Sequence, residues 1–326
     1  MSFTTSINIE RDFGKTPHYI VTANARQTIG KIINHFASGI HSFCLIGSYG
    51  TGKSSFILAL ENCLCGKTVG KNVLLSQRGQ FNSFEQFSFI NIVGDYTSLA
   101  NLLASHLNAE SKNVISVLDN HYNRLQKTNQ FLVIVIDEFG KVLEHAAKNN
   151  PEKEMYFLQK FCEYVNDTSK NILFLTTLHQ GFGAYAKGLK AEQKQEWTKV
   201  KGRIQDIVFA EPIEQLLNLT ATHISSADKK PTLNTDKIYN LAVASKFAAS
   251  TLDANVARAL YPMDIVSAYV FTQANQRYGQ NERTLFTFLE TRGEGTVNDF
   301  EASINRLYSL ADVHDYIVYN FLLLFA

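Results

Sequence analysis

The sequence predicts an α/β fold, in which a five-strand parallel sheet is covered by helices and is followed by an α-helical domain. Three observations support this prediction. Five short strand-like apolar runs alternate with stretches of helical spacing, no strand-like run is predicted after Pro212, and a glycine-rich loop joins the first run to a helix. Strands that alternate with helices usually form parallel sheets with both faces buried.

The five strand-like runs are rich in β-branched or aromatic residues and are bounded by polar residues or glycine. They are Ser42–Ile46, Phe87–Val93, Phe131–Ile136, Ile172–Thr176 and Ile207–Ala210. The clearest helix between them is Pro151–Asn166, because Asn150 can cap it and Pro151 occupies the first helical position.

Helical spacing dominates the rest of the chain. The predicted helices after Pro212 are Ile213–Ile224, Asp236–Ser250, Leu260–Arg277 and Ser303–Asn320. A proline can open a helix and stiffen a link, so we place a domain boundary there. We expect a nucleotide-binding core over residues 1–211 and a helical lid over residues 212–326.

Composition limits the classes of protein to consider. The chain has 326 residues, 45% of them hydrophobic, which is enough for a packed core and excludes a disordered tail. Lys and Arg number 31 against 30 Asp and Glu, so the net charge of +1 gives no general indication of nucleic-acid binding. A nucleic-acid partner is therefore not indicated, although a local patch stays compatible with this balance.

Cysteine use and apolar runs bear on location. Cys63 and Cys65 have no second pair at zinc-site spacing, and the polar start of the chain has no secretory signal. The longest apolar runs, Phe131–Ile136 and Tyr316–Ala326, are shorter than the ~20 residues of a membrane helix. We expect a cytoplasmic protein without membrane contact. The apolar end either packs on the helical domain or continues into a longer protein.

The loop after the first strand matches the phosphate-binding motif G-x-x-x-x-G-K-[ST] without a gap. Its residues are Gly47, Ser48, Tyr49, Gly50, Thr51, Gly52, Lys53 and Ser54, and Ser55 follows them. Glycines let backbone N–H groups converge on phosphates at a helix N-terminus. We expect Lys53 to contact the β- and γ-phosphates of ATP and Ser54 to bind Mg²⁺.

Two adjacent carboxylates follow the run Phe131–Ile136. Asp137 and Glu138 come at the carboxyl end of this strand, where open α/β sheets bind their ligands. We expect Asp137 to hold Mg²⁺ through water and Glu138 to polarise the attacking water. This pair favours hydrolysis over simple nucleotide exchange.

With these two motifs, the chain resembles the AAA+ P-loop ATPases, over roughly residues 15 to 290. The resemblance is closest to the origin-recognition and STAND-type branch. It implies an ATPase with the sheet order 5-1-4-3-2, a helical lid, bound ATP and Mg²⁺, and assembly into a homo-oligomer. The segment Trp197–Arg203, the motif Gly279–Arg283 and the large aromatic lid are together also similar to ATPases of bacterial antiviral defence.

The resemblance also implies site residues outside the two motifs. The segment Tyr19, Ile20 and Val21 would border the adenine. A polar residue at the end of the fourth strand, Thr177 or His179, would sense the γ-phosphate. Arg203 would reach the γ-phosphate of a neighbouring subunit, and Arg283, with Arg277 as its rival, would read that phosphate from the lid.

Three functions fit these features. The first is an ATP hydrolase that couples turnover to oligomer assembly or to remodelling of a protein partner or effector subunit. The second is a STAND-like switch that holds nucleotide, hydrolyses it slowly and oligomerises on a stimulus. The third, a DNA-binding initiator or loader, is disfavoured by the near-neutral charge and by the lack of a recognisable helix-turn-helix pair.

Overall fold

A computed structural model describes residues 7–16, 19, 21–66, 81, 83–225, 235–247, 252–278, 288–289, 295–300 and 306–322. These residues form two compact units. The larger unit contains Ile7–Ser48 and Gly52–Ala210, and the second contains Tyr49–Thr51 and the chain from Glu211 onward.

The larger unit is built on a five-strand parallel sheet. Its strands are β1 (Ser42–Ile46), β2 (Gln86–Val93), β3 (Gln130–Asp137), β4 (Ile172–Leu178) and β5 (Gln205–Val208). Their order across the sheet is β2-β3-β4-β1-β5, and every neighbouring pair is parallel. This is the order 5-1-4-3-2, which confirms the predicted fold class.

Among the described residues of the larger unit, seven α-helices connect these strands or precede them. They are α1 (Ala23–Ala37), α2 (Lys53–Leu64), α3 (Leu99–Leu107), α4 (Val114–Gln126), α5 (Gly140–Lys148), α6 (Pro151–Val165) and α7 (Ala191–Lys201). As predicted, Asn150 caps α6, because its side chain accepts a hydrogen bond from the N–H of Lys153, and Pro151 begins the helix.

Strand β3 shows why the sheet is buried on both faces. Phe131, Val133 and Val135 pack in the apolar cluster that contains residues of α1 and α2. Leu132, Ile134 and Ile136 alternate with them and pack in a second cluster, with residues of α3 to α7. Side chains of a strand point to opposite faces in turn, so six consecutive apolar residues require a helical layer on each side.

Two strands differ from the prediction by more than one residue at an end. β4 continues to Leu178, so Thr177 lies inside the strand and is fully buried. β5 is Gln205–Val208 instead of Ile207–Ala210. It is an edge strand, with Val208 66% exposed, so its first residues can be polar and the apolar run gave the wrong start.

The second unit is helical in its described part. Its helices are α8 (Ile213–Ser225), α9 (Asp236–Ala244), α10 (Ala254–Ala259), α11 (Ile265–Tyr278) and α12 (Leu310–Ile317), which runs into a π-helical turn at Val318–Leu322. The predicted helix Leu260–Arg277 was wrong at its start. Pro262 interrupts it, and the Asp264 carboxylate caps α11 by accepting the N–H of Ser267.

Of the other predicted helices of this unit, Ile213–Ile224 corresponds to α8, whereas the remaining two are shorter among the described residues. Described residues of α9 end at Ala244, and α12 begins at Leu310 because Ser309 and Asp312 form a capping box. Tyr316, at the start of the apolar C-terminal run, is buried in the core of the unit. No helix among the described residues is long and apolar enough to cross a membrane.

Candidate functional site

The glycine-rich loop joins β1 to α2 at the carboxyl end of the sheet. Gly50 and Gly52 have φ angles of 73° and 83°, which only glycine adopts without strain. At the start of the loop, the N–H of Gly47 bonds the carbonyl of Leu178 at the end of β4. The backbone therefore turns sharply into the N-terminus of α2, as a phosphate-binding loop requires.

Lys53 lies in the first turn of α2 and is 6% exposed. Its ammonium group donates to the carbonyl oxygens of Gly47, at 2.6 Å, and Ser48, at 2.8 Å. Burial lowers the pKa of Lys53 to about 8, against the opposing effect of the nearby Asp137 carboxylate. The Lys53 ammonium is thus held at the loop against the free-energy cost of its burial, and the negative charge of a bound phosphate would offset that cost.

Asp137 links three elements of the site. The Ser54 hydroxyl donates to its Oδ2 at 2.6 Å, and the Thr177 hydroxyl donates to its Oδ1 at 2.5 Å. β3 places the carboxylate, α2 places Ser54, and β4 places Thr177. The three side chains, predicted from separate motifs, therefore meet in the described structure.

Glu138 follows β3 in a left-handed backbone conformation, with φ 55°. Its N–H bonds Thr177 Oγ1 at 2.9 Å and Asp137 Oδ1 at 3.1 Å, which holds the turn. Gly94 packs against this turn, donates its N–H to the Asp137 carbonyl at 2.7 Å, and leaves no room for a side chain. A Cβ there would lie 2.5 Å from the Glu138 carbonyl oxygen.

Lys141 is a site residue that the sequence analysis missed. Its ammonium group lies 2.6 Å from Glu138 Oε2, one helical turn along the chain. Carboxylates and lysines three or four residues apart often pair on helices, so this spacing was the available signal. Gly94 was also missed, and its position directly after a strand was the only sign of its role.

His179 lies just beyond β4 and is half-buried. Burial, together with the positive charge of Lys53, lowers the pKa of His179 to about 4, so the imidazole is neutral at pH 7. Thr177, by contrast, directly bonds the carboxylate of Asp137. Of the two predicted sensor residues, Thr177 is the one hydrogen-bonded to the carboxylate of Asp137 and to the N–H of Glu138, and both sensor roles stay predictions.

The segment predicted to border the adenine lies before α1. Val21 is buried in the apolar core and Tyr19 packs against the same core, while Ile20 is outside the described residues. Thr22 caps α1 by accepting the N–H of Ala25 at 3.1 Å. Contact of this segment with a base stays a prediction.

Arg203 lies at the opposite end of the sheet from the phosphate loop. Ile46, directly before the loop, pairs with Val208 in the register of β1 and β5. Arg203 precedes β5, whose first residue, Gln205, lies three residues before Val208, which at ~3.3 Å per residue is roughly 10 Å along the strand. The Arg203 guanidinium bonds the Lys199 carbonyl oxygen at 2.7 Å and the Glu163 carboxylate at 3.0 Å.

The side chains of the two predicted lid arginines, Arg283 and Arg277, lie outside the described part of the structure. Arg283 is not among the described residues, and Arg277 lies in the last turn of α11 with its side chain not described.

The remaining residues of the phosphate loop differ in exposure. Tyr49 is 40% exposed, whereas Ser48, Thr51 and Ser55 are half-buried.

The residues present fit a nucleoside triphosphate and Mg²⁺. The left-handed glycines and the helix N-terminus offer N–H donors for phosphate oxygens, and Lys53 adds a positive charge. The Ser54 hydroxyl and the Asp137 carboxylate, joined at 2.6 Å, are the hard oxygen ligands that Mg²⁺ prefers. Sheet order, loop and carboxylates together define a P-loop NTPase fold, with the strand order that the resemblance to the AAA+ ATPases implies.

No protein-family model matches the chain, and no curated protein sequence matches it. Solved structures with a similar chain path include the Aeropyrum pernix ORC2 protein in ADPNP–ADP complexes, with 14% identity and a TM-score of 0.41, over 84% of this chain and 67% of that chain. C. elegans PCH-2 has 13% identity and a TM-score of 0.37, over 91% of this chain and 65% of that chain. The Aeropyrum pernix ORC1 protein in complex with DNA has 17% identity and a TM-score of 0.37, over 83% of this chain and 64% of that chain.

This chain therefore spans about two thirds of the length of those proteins. Such low similarity does not transfer a function, because one fold hosts many activities. The fold assignment rests on the sheet order and the loop of this chain.

Proposed function

We propose that the protein binds Mg-ATP and hydrolyses it, and that turnover is coupled to assembly of the chain into an oligomer. One observation carries the proposal: Lys53, Ser54 and Asp137 converge at the phosphate loop, with Thr177 bonded to the same carboxylate. This arrangement would supply a phosphate-binding loop and a cation site together.

Each side chain has a separate task in the proposed reaction. Lys53 would neutralise charge on the β- and γ-phosphates, and Ser54 with Asp137 would hold Mg²⁺, which shields the phosphate oxygens. Glu138 would accept a proton from the attacking water as the water oxygen bonds to the γ-phosphorus. The bond from that phosphorus to the bridging oxygen breaks, and ADP leaves.

The position of Arg203 supports a role in a neighbouring site. It precedes β5 at the opposite end of the sheet from its own loop, and the strand alone spans roughly 10 Å, beyond the reach of one side chain. A guanidinium stays charged and meets phosphate oxygens through two parallel hydrogen bonds. We infer that Arg203 contacts the γ-phosphate bound by a second copy of the chain.

Two measurements test the proposal. Lys53→Ala should abolish or strongly weaken ATP binding, whereas Ala at Lys31, an exposed lysine of α1, should not. Arg203→Ala should bind ATP but hydrolyse it ~10³–10⁵-fold more slowly. Unchanged ATP affinity in Lys53→Ala would show that this loop is not the phosphate site.

The trans role predicts activity that rises with protein concentration. Mixing Arg203→Ala with Glu138→Gln should restore part of the activity, because one interface then contains an intact Glu138 and an intact Arg203 from different subunits. Full, concentration-independent hydrolysis by monomeric Arg203→Ala would exclude the trans role.

A nucleotide-holding switch is the second candidate, favoured by the 2.6 Å ion pair between Lys141 and Glu138. A lysine bonded to the proposed base competes with the attacking water for the carboxylate. The turnover number, measured with and without added partner proteins, separates a switch from a steadily cycling ATPase. Turnover of many ATP molecules per minute without any partner would exclude the switch.

Two further roles are proposed on the basis of the sequence resemblance alone. A DNA-binding initiator or loader would show duplex binding that weakens steeply with salt. A role in bacterial antiviral defence would be tested by infection of cells that carry the gene with its Lys53 codon intact or changed to Ala.

A further inference from the structure

The Arg203 guanidinium is held against its own chain by two exposed contacts. Its Nη1 donates to the Lys199 carbonyl oxygen at 2.7 Å, and its Nη2 donates to Glu163 Oε1 at 3.0 Å. The Arg203 and Glu163 side chains are 33% and 39% exposed. Water screens such a pair, so it forms and breaks at little cost.

The backbone of Arg203 is fixed more firmly than its side chain. Asn166, which follows α6, donates from Nδ2 to the Arg203 carbonyl oxygen at 2.8 Å. The Asn166 amide oxygen accepts the N–H of His41 at 2.9 Å, and His41 is buried directly before β1. The base of the side chain is therefore anchored to the sheet, and only the guanidinium has exposed, replaceable partners.

Glu163 has further partners on its own helix. Gln159 donates to its Oε1 at 2.9 Å, and the Lys160 ammonium lies 3.4 Å from its Oε2. These contacts remain when the arginine departs, so the carboxylate is not left unpaired. A triphosphate carries more negative charge than one carboxylate and offers two oxygens to the guanidinium fork, so it can replace Glu163.

We propose that Glu163 is a positioning residue, which holds Arg203 back in the single chain and releases it to the triphosphate bound by a second copy. This inference rests on the proposed trans role of Arg203. The Glu163 pair opposes assembly by the free energy of one exposed ion pair, roughly a 1.5- to 5-fold factor in an equilibrium constant.

The test compares protein concentrations at half-maximal assembly. Glu163→Met removes both acceptor oxygens but keeps a long side chain with good helix propensity. In sedimentation velocity with Mg²⁺ and a non-hydrolysable ATP analogue, this variant should assemble at a roughly 1.5- to 5-fold lower concentration than the parent chain. The concentration for half-maximal ATPase activity should fall by the same factor.

Glu196→Met is the matched control. Glu196 and Lys199 both lie on α7, and their side chains form an ion pair. The Glu196 side chain is 38% exposed, so Glu196→Met removes a carboxylate of nearly the same exposure as Glu163 without removing a partner of Arg203. Glu163→Gln, which keeps a neutral acceptor, should give a smaller shift than Glu163→Met. In an Arg203→Ala background, Glu163→Met should give no shift.

Three outcomes overturn the inference: an unchanged or higher assembly concentration in Glu163→Met, an equal shift in Glu196→Met, or a shift that persists without Arg203. If Arg203→Ala blocks hydrolysis while Glu163→Met behaves as the parent, only the holding role fails. If Arg203→Ala itself assembles and hydrolyses ATP normally, the proposed trans role fails.

Discussion

Thr177 and Asp137, forty positions apart in sequence, are joined by a 2.5 Å hydrogen bond from the threonine hydroxyl to the carboxylate. The threonine lies on β4 and the aspartate ends β3, and these strands are neighbours in the sheet. The same hydroxyl accepts the N–H of Glu138. One side chain thus orients both the proposed metal ligand and the turn that carries the proposed base.

Thr177→Val should slow hydrolysis by ~10–100-fold, the usual cost of losing a hydrogen bond that orients a metal ligand. Valine keeps the shape but not the hydroxyl, so ATP affinity without Mg²⁺ should change little. Steady-state kinetics and equilibrium binding of a fluorescent ATP analogue measure both quantities.

Thr176→Val is the control, because Thr176 is also buried on β4 but bonds the Phe43 carbonyl oxygen. Parent-like turnover in Thr177→Val would show that Thr177 does not orient Asp137 for the reaction.

Glu138→Gln should keep ATP binding and slow hydrolysis by ~10²–10⁴-fold, because an amide cannot accept the proton from water. Filter binding and single-turnover hydrolysis of labelled ATP measure the two steps separately. Glu144→Gln, an exposed change on α5, serves as the control. Normal turnover in Glu138→Gln would assign the base to another residue.

ATP affinity should fall as the pH rises above about 8. The pKa of Lys53 is lowered to about 8 in the free protein, and bound phosphates raise it by favouring the charged form. Binding above that pKa must therefore take up a proton, and affinity drops by up to tenfold per pH unit. Isothermal titration from pH 7 to 9.5 at constant ionic strength measures this slope.

Lys53→Arg is the matched variant for the pH series, since arginine stays charged throughout the range. Its affinity should be lower at pH 7 but should change less with pH. An equal slope in both proteins would assign the titration to a group other than Lys53.

Gly94→Ala should destabilise the larger unit by ~1–3 kcal/mol, the usual cost of overpacking, because its Cβ would lie 2.5 Å and 2.9 Å from the carbonyl oxygens of Glu138 and Asp137. Urea unfolding measures the change in free energy. Gly30→Ala is the control: it lies inside α1 with no heavy atom within 4 Å of the new Cβ, and it should stabilise by about 0.5–1 kcal/mol. An unchanged urea midpoint of unfolding in Gly94→Ala would mean that the turn after β3 shifts to admit the new Cβ without loss of stability.

The sequence determined the local features of this protein. Short continuous apolar runs predicted all five strands, and four of them, including β3, lie close to their predicted bounds because buried strands must be apolar on both faces. The fifth, an edge strand, was displaced because an edge tolerates polar residues. The phosphate loop was also readable, because its glycines, lysine and serine act within one short segment.

Only the tertiary structure decided which distant side chains meet. Ser54 and Thr177 reach Asp137 from positions 83 and 40 residues away, Arg203 pairs with Glu163 from 40 residues away, and Gly94 fits against the turn after β3. Such contacts depend on the order and register of strands, which the packing of the whole unit sets. A local pattern fixes which face of a strand is apolar, but not which strand lies beside it.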